Sequence, residues 1–127
     1  MMSISVGEKF SSRKKITEED IRLFADISGD RNPLHLDPEF ASRSIFKQRV
    51  AHGMLTASLI SAALASISGT IILLSYSLSF LKPVYIGDEL EAKVTVREIE
   101  NGKIYLDAEV TKGKDVVVSG NAKILRR

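Results

Sequence analysis

The stretch Gly53-Met54-Leu55-Thr56-Ala57-Ser58-Leu59-Ile60-Ser61-Ala62-Ala63-Leu64-Ala65-Ser66-Ile67-Ser68 decides the fold, because none of its sixteen positions is charged. Its apolar residues go round a helix rather than along one stripe, and only small hydroxyls interrupt them. Such a helix is buried on most of its surface. At about 1.5 Å per residue it would run about 24 Å. In a chain of 127 residues, the usual way to enclose one helix is to wrap a sheet round it. A membrane span is the competing reading, but it needs about 20 consecutive, predominantly apolar residues. The uncharged region 53–74 is broken by Ser58, Ser61, Ser66, Ser68 and Gly69.

The downstream half supplies the sheet. Residues 70–84 are strand-like, with Pro83 near the end. From Asp88 the alternation is clean: Leu90, Ala92, Val94 and Val96 face one way, and Glu91, Lys93, Thr95 and Arg97 the other. Asn101-Gly102 is a two-residue hairpin signal. Ile104, Leu106, Ala108 and Val110 repeat the pattern, Lys112-Gly113-Lys114 turns again, and Val116, Val118, Ala122 and Ile124 complete an antiparallel meander.

Upstream, Thr17 caps a helix, with Asp20 placed at its positive end. Ile21, Phe24, Ala25 and Ile27 recur at helical spacing and Gly29 stops the run. Gly29-Asp30-Arg31-Asn32-Pro33 is a turn cluster. Asp37-Pro38 opens another short helix, expected to carry Phe40 and Ala41 inward. The expected whole, residues 1–127, is a single α+β domain: a curved antiparallel sheet wrapped around a long central helix.

Composition narrows the function classes. Lys+Arg total 18 and Asp+Glu 16, a formal net charge of +2, and no stretch concentrates it. That argues against a nucleic-acid groove. Cysteine is absent, which removes disulfides, thiol nucleophiles and thiolate metal sites. The N-terminal residues lack a basic segment followed by an apolar core, so no signal peptide is expected and a cytoplasmic setting fits. No glycine-rich dinucleotide fingerprint appears.

The chemistry-bearing residues cluster before the long helix. The two histidines, His35 and His52, both fall there, and Asp30 lies five positions before His35. Singly, each has a bland reading. Asp30 can close an Asx turn, His35 can be a hydrogen-bonded packing residue, His52 can orient the helix start, and Gly53 can simply let backbones approach. Ser58 and Ser61 can bond back to the helix backbone. Together they say more. Asn32-Pro33 is expected to force a turn rather than a helix, letting Asp30 and His35 converge on one water. A carboxylate beside an imidazole makes an acid–base pair. Gly53 offers an unblocked N–H at the positive end of a buried helix, suited to a developing oxyanion. These are the parts for proton chemistry next to a carbonyl.

The segment Asp30-Arg31-Asn32-Pro33-Leu34-His35-Leu36-Asp37-Pro38 resembles the hydratase motif of MaoC-like proteins, most closely the single-domain (R)-specific enoyl-CoA hydratases. The likeness continues through Val50-Ala51-His52-Gly53-Met54-Leu55, Ser77-Leu78-Ser79-Phe80 and Pro83-Val84-Tyr85-Ile86-Gly87-Asp88. It implies a hotdog fold, a homodimer with two sheets joined edge to edge, and reversible hydration of trans-2-enoyl-CoA to (3R)-3-hydroxyacyl-CoA. It implies that Asp30 and His35 hold the attacking water and that the Gly53 N–H binds the thioester oxygen. Asn32 would fix the loop, His52 would form the helix entry rather than a second base, and Ser61 and Leu64 would line the acyl pocket. No cofactor or metal is implied, CoA being part of the substrate. Tyr76, Tyr85 and the short join Ile67-Ser68-Gly69-Thr70 bear on acyl-chain length. Arg43, Lys47, Arg49 and Lys82 are candidates to meet the CoA phosphates.

Other readings have distinct marks. An acyl-carrier-protein dehydratase would share the residues and differ in carrier. A hotdog thioesterase typically has an acidic residue on the central helix, and residues 54–68 contain none. A non-catalytic acyl-CoA binding module would not require the Asp30/His35 pair. A zinc site would have only two histidines and no cysteine to draw on.

Overall fold

A computed structural model describes residues 3–127. Its order is β1 (Lys9–Lys15), α1 (Glu18–Ser28), α2 (Pro33–Leu36), α3 (Pro38–Ser42), α4 (Gly53–Ala65), β2 (Ile71–Phe80), β3 (Glu89–Glu100), β4 (Lys103–Lys112) and β5 (Asp115–Arg126). The strands form one antiparallel sheet in the order β1-β3-β4-β5-β2. The uncharged helix α4 packs on β1, β3, β4 and β2, so the sheet curls round it. The α+β, sheet-wrapped-helix expectation holds, and this is the hotdog architecture. Among the described residues, no helix is long and apolar enough to cross a membrane.

The meander follows the alternation. Leu90, Ala92, Val94 and Val96 on β3 and Ile104, Leu106, Ala108 and Val110 on β4 are all buried. Asn101 (φ 51°) and Gly102 (φ 80°) both take the left-handed backbone that a tight two-residue hairpin requires. β5 departs from strict alternation. A register shift at Val110/Thr111 leaves Val117 without an opposite residue, so Val117 and Val118 are both buried and Val116 only half so.

Several expected boundaries move. α4 ends at Ala65 rather than Ser68, with Ser66 as its C-cap. The strand expected over 70–84 leaves the sheet after Phe80. On α1, Thr17 and Asp20 form a reciprocal capping box and Gly29 (φ 77°) closes the end. Ile21 and Ala25 face the core, while Ile27 is 86% exposed, two positions beyond Ala25 and hence off the buried stripe. Ala41 is buried, but Phe40, its neighbour on a helix of five residues, is 45% exposed rather than inward.

Candidate active site

The excursion between α1 and α4 is held by side-chain oxygens. Ser28 Oγ accepts from the Asp30 N–H at 3.0 Å, and Asp30 Oδ1 accepts from the Asn32 N–H at 3.2 Å. Asn32 Oδ1 then accepts from the Leu34 N–H at 3.0 Å and caps α2, with Pro33 at its first position. The expected turn after Asn32 is therefore one turn of helix, and that turn carries His35. Asp37 Oδ1 caps α3 in the same manner, accepting from the N–H groups of Glu39 and Phe40.

These caps bring Asp30, His35 and His52 together. One ligand atom from each lies within 4.8 Å of the others. Asp30 is exposed, His35 half-buried and His52 buried. The Nδ1–H of His35 donates to the Val50 carbonyl at 2.8 Å, so Nε2 carries the free lone pair. Asp30 keeps its second carboxylate oxygen free of protein donors among the described residues. Two acceptors up to 4.8 Å apart can both reach one water at ordinary hydrogen-bond length, about 2.8 Å each.

His52 sits behind the pair. Its Nε2–H donates to the Asp30 carbonyl at 3.0 Å, and its ring stacks on His35 with centroids 4.0 Å apart. Burial holds its pKa below the ordinary imidazole range. The charge of His35 adds to this, while the Asp30 carbonyl and carboxylate oppose it. His52 is also the N-cap of α4, yet its side chain makes no cap hydrogen bond. The first-turn amides of α4, Gly53 first, have no intrahelical acceptor, and Gly53 itself is exposed.

Gly53 lies under the ring of Phe80. A Cβ there would come 3.1 Å from Phe80 Cδ1 and 3.2 Å from Cε1, closer than ordinary contact. Gly53 and Phe80 line a mostly apolar cavity of about 290 Å³, together with Leu34, Val50, Thr56 and Pro83. Leu34 adjoins His35 in sequence and Val50 accepts its hydrogen bond, so the cavity lies next to His35, although neither His35 nor Asp30 lines it.

The other expected residues lie elsewhere. Ser61 and Leu64 are about two and three turns beyond Gly53 along α4 and do not line this cavity. Leu64 is buried in the core, and Ser61 lies on the exposed side of α4 near Tyr76. Burial raises the Tyr76 pKa, opposed by the nearby Ser61 hydroxyl, yet no hydrogen bond of ordinary geometry joins the two. Ser58 does bond back, donating to the Leu55 carbonyl at 2.6 Å. Arg49 is engaged within the fold. Its Nε donates to the His35 carbonyl at 2.6 Å, and its guanidinium pairs with Glu18 at 2.7 Å, tying α1 to the site. Arg43 pairs with Glu39 at 3.5 Å and Lys82 with Asp115 at 2.9 Å, both exposed. Lys47 stands at a left-handed backbone position, φ 65°.

Asp30, His35 and His52 are also the set that could meet a cation. His52 has one ring nitrogen committed to a carbonyl and the other shut from solvent. That leaves two open ligands, fewer than the three that catalytic zinc sites take from protein. Proton handling suits the geometry better. The sequence reading missed the depth of His52's involvement. Its signal was there in the adjacency of His52 to Gly53, but only the fold shows the ring reaching back to Asp30.

Comparison with known proteins shows what the chain as a whole is similar to. The model of the MaoC like domain matches residues 3–118. A 3-hydroxybutyryl-CoA dehydratase of Methylorubrum extorquens is 41% identical over 125 residues, covering 95% of this chain and 80% of that protein. An (R)-specific enoyl-CoA hydratase of Aeromonas caviae is 39% identical over 127 residues, covering 96% and 95%. The solved structure of an (R)-hydratase from A. caviae superposes with a TM-score of 0.94, at 36% identity and with full coverage of both chains.

Proposed function

The chain belongs to the MaoC-like domain family, and on that premise we propose that it hydrates a trans-2-enoyl-CoA reversibly to the (3R)-3-hydroxyacyl-CoA. The observation that carries this is the approach of Asp30 and His35 to within 4.8 Å of each other, together with the first turn of α4 that the His52 side chain leaves uncapped. Asp30 and His35 hold the water. As its oxygen bonds C3, one of them takes a proton from it and the other delivers a proton to C2, so the addition is balanced. Charge develops on the thioester oxygen as C2 becomes enolate-like. The Gly53 N–H, at the positive end of α4, stabilises it in this reading; a donor of this kind is worth about 3–4 kcal/mol. Water addition to an activated double bond needs neither cofactor nor metal in this reading, and the cytoplasm is its setting.

We propose further that the chain works as a homodimer joined along β2. Ile72, Leu73 and Leu74 are exposed on this edge strand, at 43%, 44% and 45%, while the opposite edge, β1, carries Lys9, Arg13, Lys14 and Lys15. An apolar edge left unpaired is a template for strand addition, and a lysine-rich one resists it. Leu73→Lys is expected to shift the sedimenting species from dimer to monomer. Wild-type chain sedimenting as a monomer would end the dimer reading.

The activity is tested with crotonyl-CoA, following loss of enoyl absorbance and the chirality of the product. Asp30→Asn and His35→Gln should each lower kcat/KM by about 10³-fold, within the usual range for a lost acid or base. Turnover near the wild-type rate in both variants would refute the assignment. Running the assay across chain lengths, and on acyl-carrier-protein thioesters, identifies the substrate.

A further inference from the structure

His52 takes no part in holding the water, yet it touches every component of the site. Its Nε2–H donates to the Asp30 carbonyl, its ring stacks on His35, and its backbone leads directly into Gly53. The Phe24 ring from α1 packs on it, centroids 4.9 Å apart. Its Nδ1 is buried without a hydrogen-bond partner among the described residues, and the residue is only 1% exposed.

Those facts separate two roles. Because Nε2 faces a carbonyl, it carries the proton and Nδ1 keeps the lone pair. A general base needs a lone pair that water or substrate can reach. Here the free one is walled off, so His52 is not a second base. Its burial also disfavours the charged ring, so the stack on His35 sets a neutral face against the working imidazole. A phenyl ring would fill the same space with no orphaned nitrogen. What a histidine adds is the single donor to the Asp30 backbone, and an unpaired buried nitrogen is the cost of keeping it.

We propose that His52 is the positioning residue of the site: its N–H anchors the Asp30 backbone, its ring sets the plane of His35, and its peptide carries the Gly53 amide beside both. The kinetic consequence rests on the hydratase reading given above; the structural consequence does not.

The test joins a spectroscopic reading of the unaltered chain to two variants. Imidazole nitrogen shifts of labelled wild-type protein should show His52 as the neutral Nε2–H tautomer and His35 as the Nδ1–H tautomer. His52 found as Nδ1–H overturns the proposal with no variant needed. His52→Phe keeps a ring and loses the donor; His52→Gln keeps a donor and loses the ring. With crotonyl-CoA, each should lower kcat about tenfold to a hundredfold per folded molecule while KM stays within about threefold, since misplacing a reacting group by about 1 Å costs on the order of a hundredfold. The decisive arm is His52→Phe, which preserves the packing. If its kcat stays within about threefold of wild type, or if the whole loss falls on KM, His52 merely fills space and the proposal fails. Should the wild-type chain hydrate no enoyl thioester, the functional reading falls instead, and the tautomers alone decide the positioning claim.

Discussion

In the β3–β4–β5 meander every inward side chain from Leu90 to Val110 is aliphatic and buried, whereas between Gly29 and Gly53 the backbone turns on the oxygens of Asp30, Asn32 and Asp37. The first region is held by burial, which is non-directional and scales with area. The second is held by hydrogen bonds whose angles matter more than their number. The contrast shows how the chain divides its work. The sheet and α4 make a platform that tolerates small shifts, and the excursion spends directional bonds on a few side chains that do not. Stability and chemistry then sit in separate stretches of sequence, and variants can take them apart.

The largest expected effect comes from the excursion. Asp30→Asn or His35→Gln should remove about 10³ in rate, equivalent to about 4 kcal/mol of barrier. Unfolding free energy should change by less than about 1 kcal/mol, because Asp30 is exposed and an asparagine can still accept from the Asn32 N–H. Leu106→Ala should do the reverse. Leu106 is fully buried on β4, so its truncation should lower unfolding free energy by about 3 kcal/mol, with kcat per folded molecule unchanged. Urea denaturation run beside the turnover assay measures both. A Leu106→Ala protein that folds but has lost its turnover would break the division outright.

The same contrast explains what the amino-acid sequence disclosed. Alternation in residues 88–124 reports burial directly, so the sheet's inner face could be assigned residue by residue, and an uncharged helix of this length admits little but a central position. The exceptions are local and directional. Val117 is buried because a bulge on β5 shifts the register, and nothing in the alternation announces a bulge. α2 exists because Asn32 caps it and Pro33 starts it, a signal easily taken for a turn when the helix is one turn long. Asp30, His35 and Gly53 could be singled out by residue type and spacing. That Arg49 is bound up with Glu18 and the His35 carbonyl could not, since both partners are remote in sequence.

A smaller effect sharpens the boundary between the regions. α1 starts at the Thr17–Asp20 capping box and is tied by Arg49 to the site, so it belongs to the excursion by its bonds and to the platform by Ile21 and Ala25. Thr17→Ala should cost about 1 kcal/mol of unfolding free energy, the usual value of a lost cap. If α1 acts mainly as platform, kcat stays put. If it also steadies the excursion, kcat falls with it, and the turnover of the folded variant tells the two apart.

The smallest effect is on pH, where the two regions respond in separate windows. His52 has a folded-state pKa below its ordinary value of 6.5, chiefly because it is buried. As pH drops, the unfolded chain therefore binds that proton first. The stability involved is complete above 6.5 and is lost as pH falls through the folded value. Glu18 and Asp20 behave with the same sign but lower down. The Arg49 hydrogen bond lowers Glu18 from its ordinary 4.5. For Asp20 burial pushes upward, but the Thr17 amide, Lys14 and the Thr17 hydroxyl outweigh it and bring the value below 3.8. Their contribution is present above 4.5 and 3.8 and disappears as pH passes through the folded values. Acid should thus loosen the site first and the start of α1 later. Urea midpoints of His52→Phe, followed from neutral to acid pH, should lack the upper decline and keep the lower one. If the upper decline survives in that variant, the group that titrates there is not His52, and the early acid response belongs to another part of the molecule.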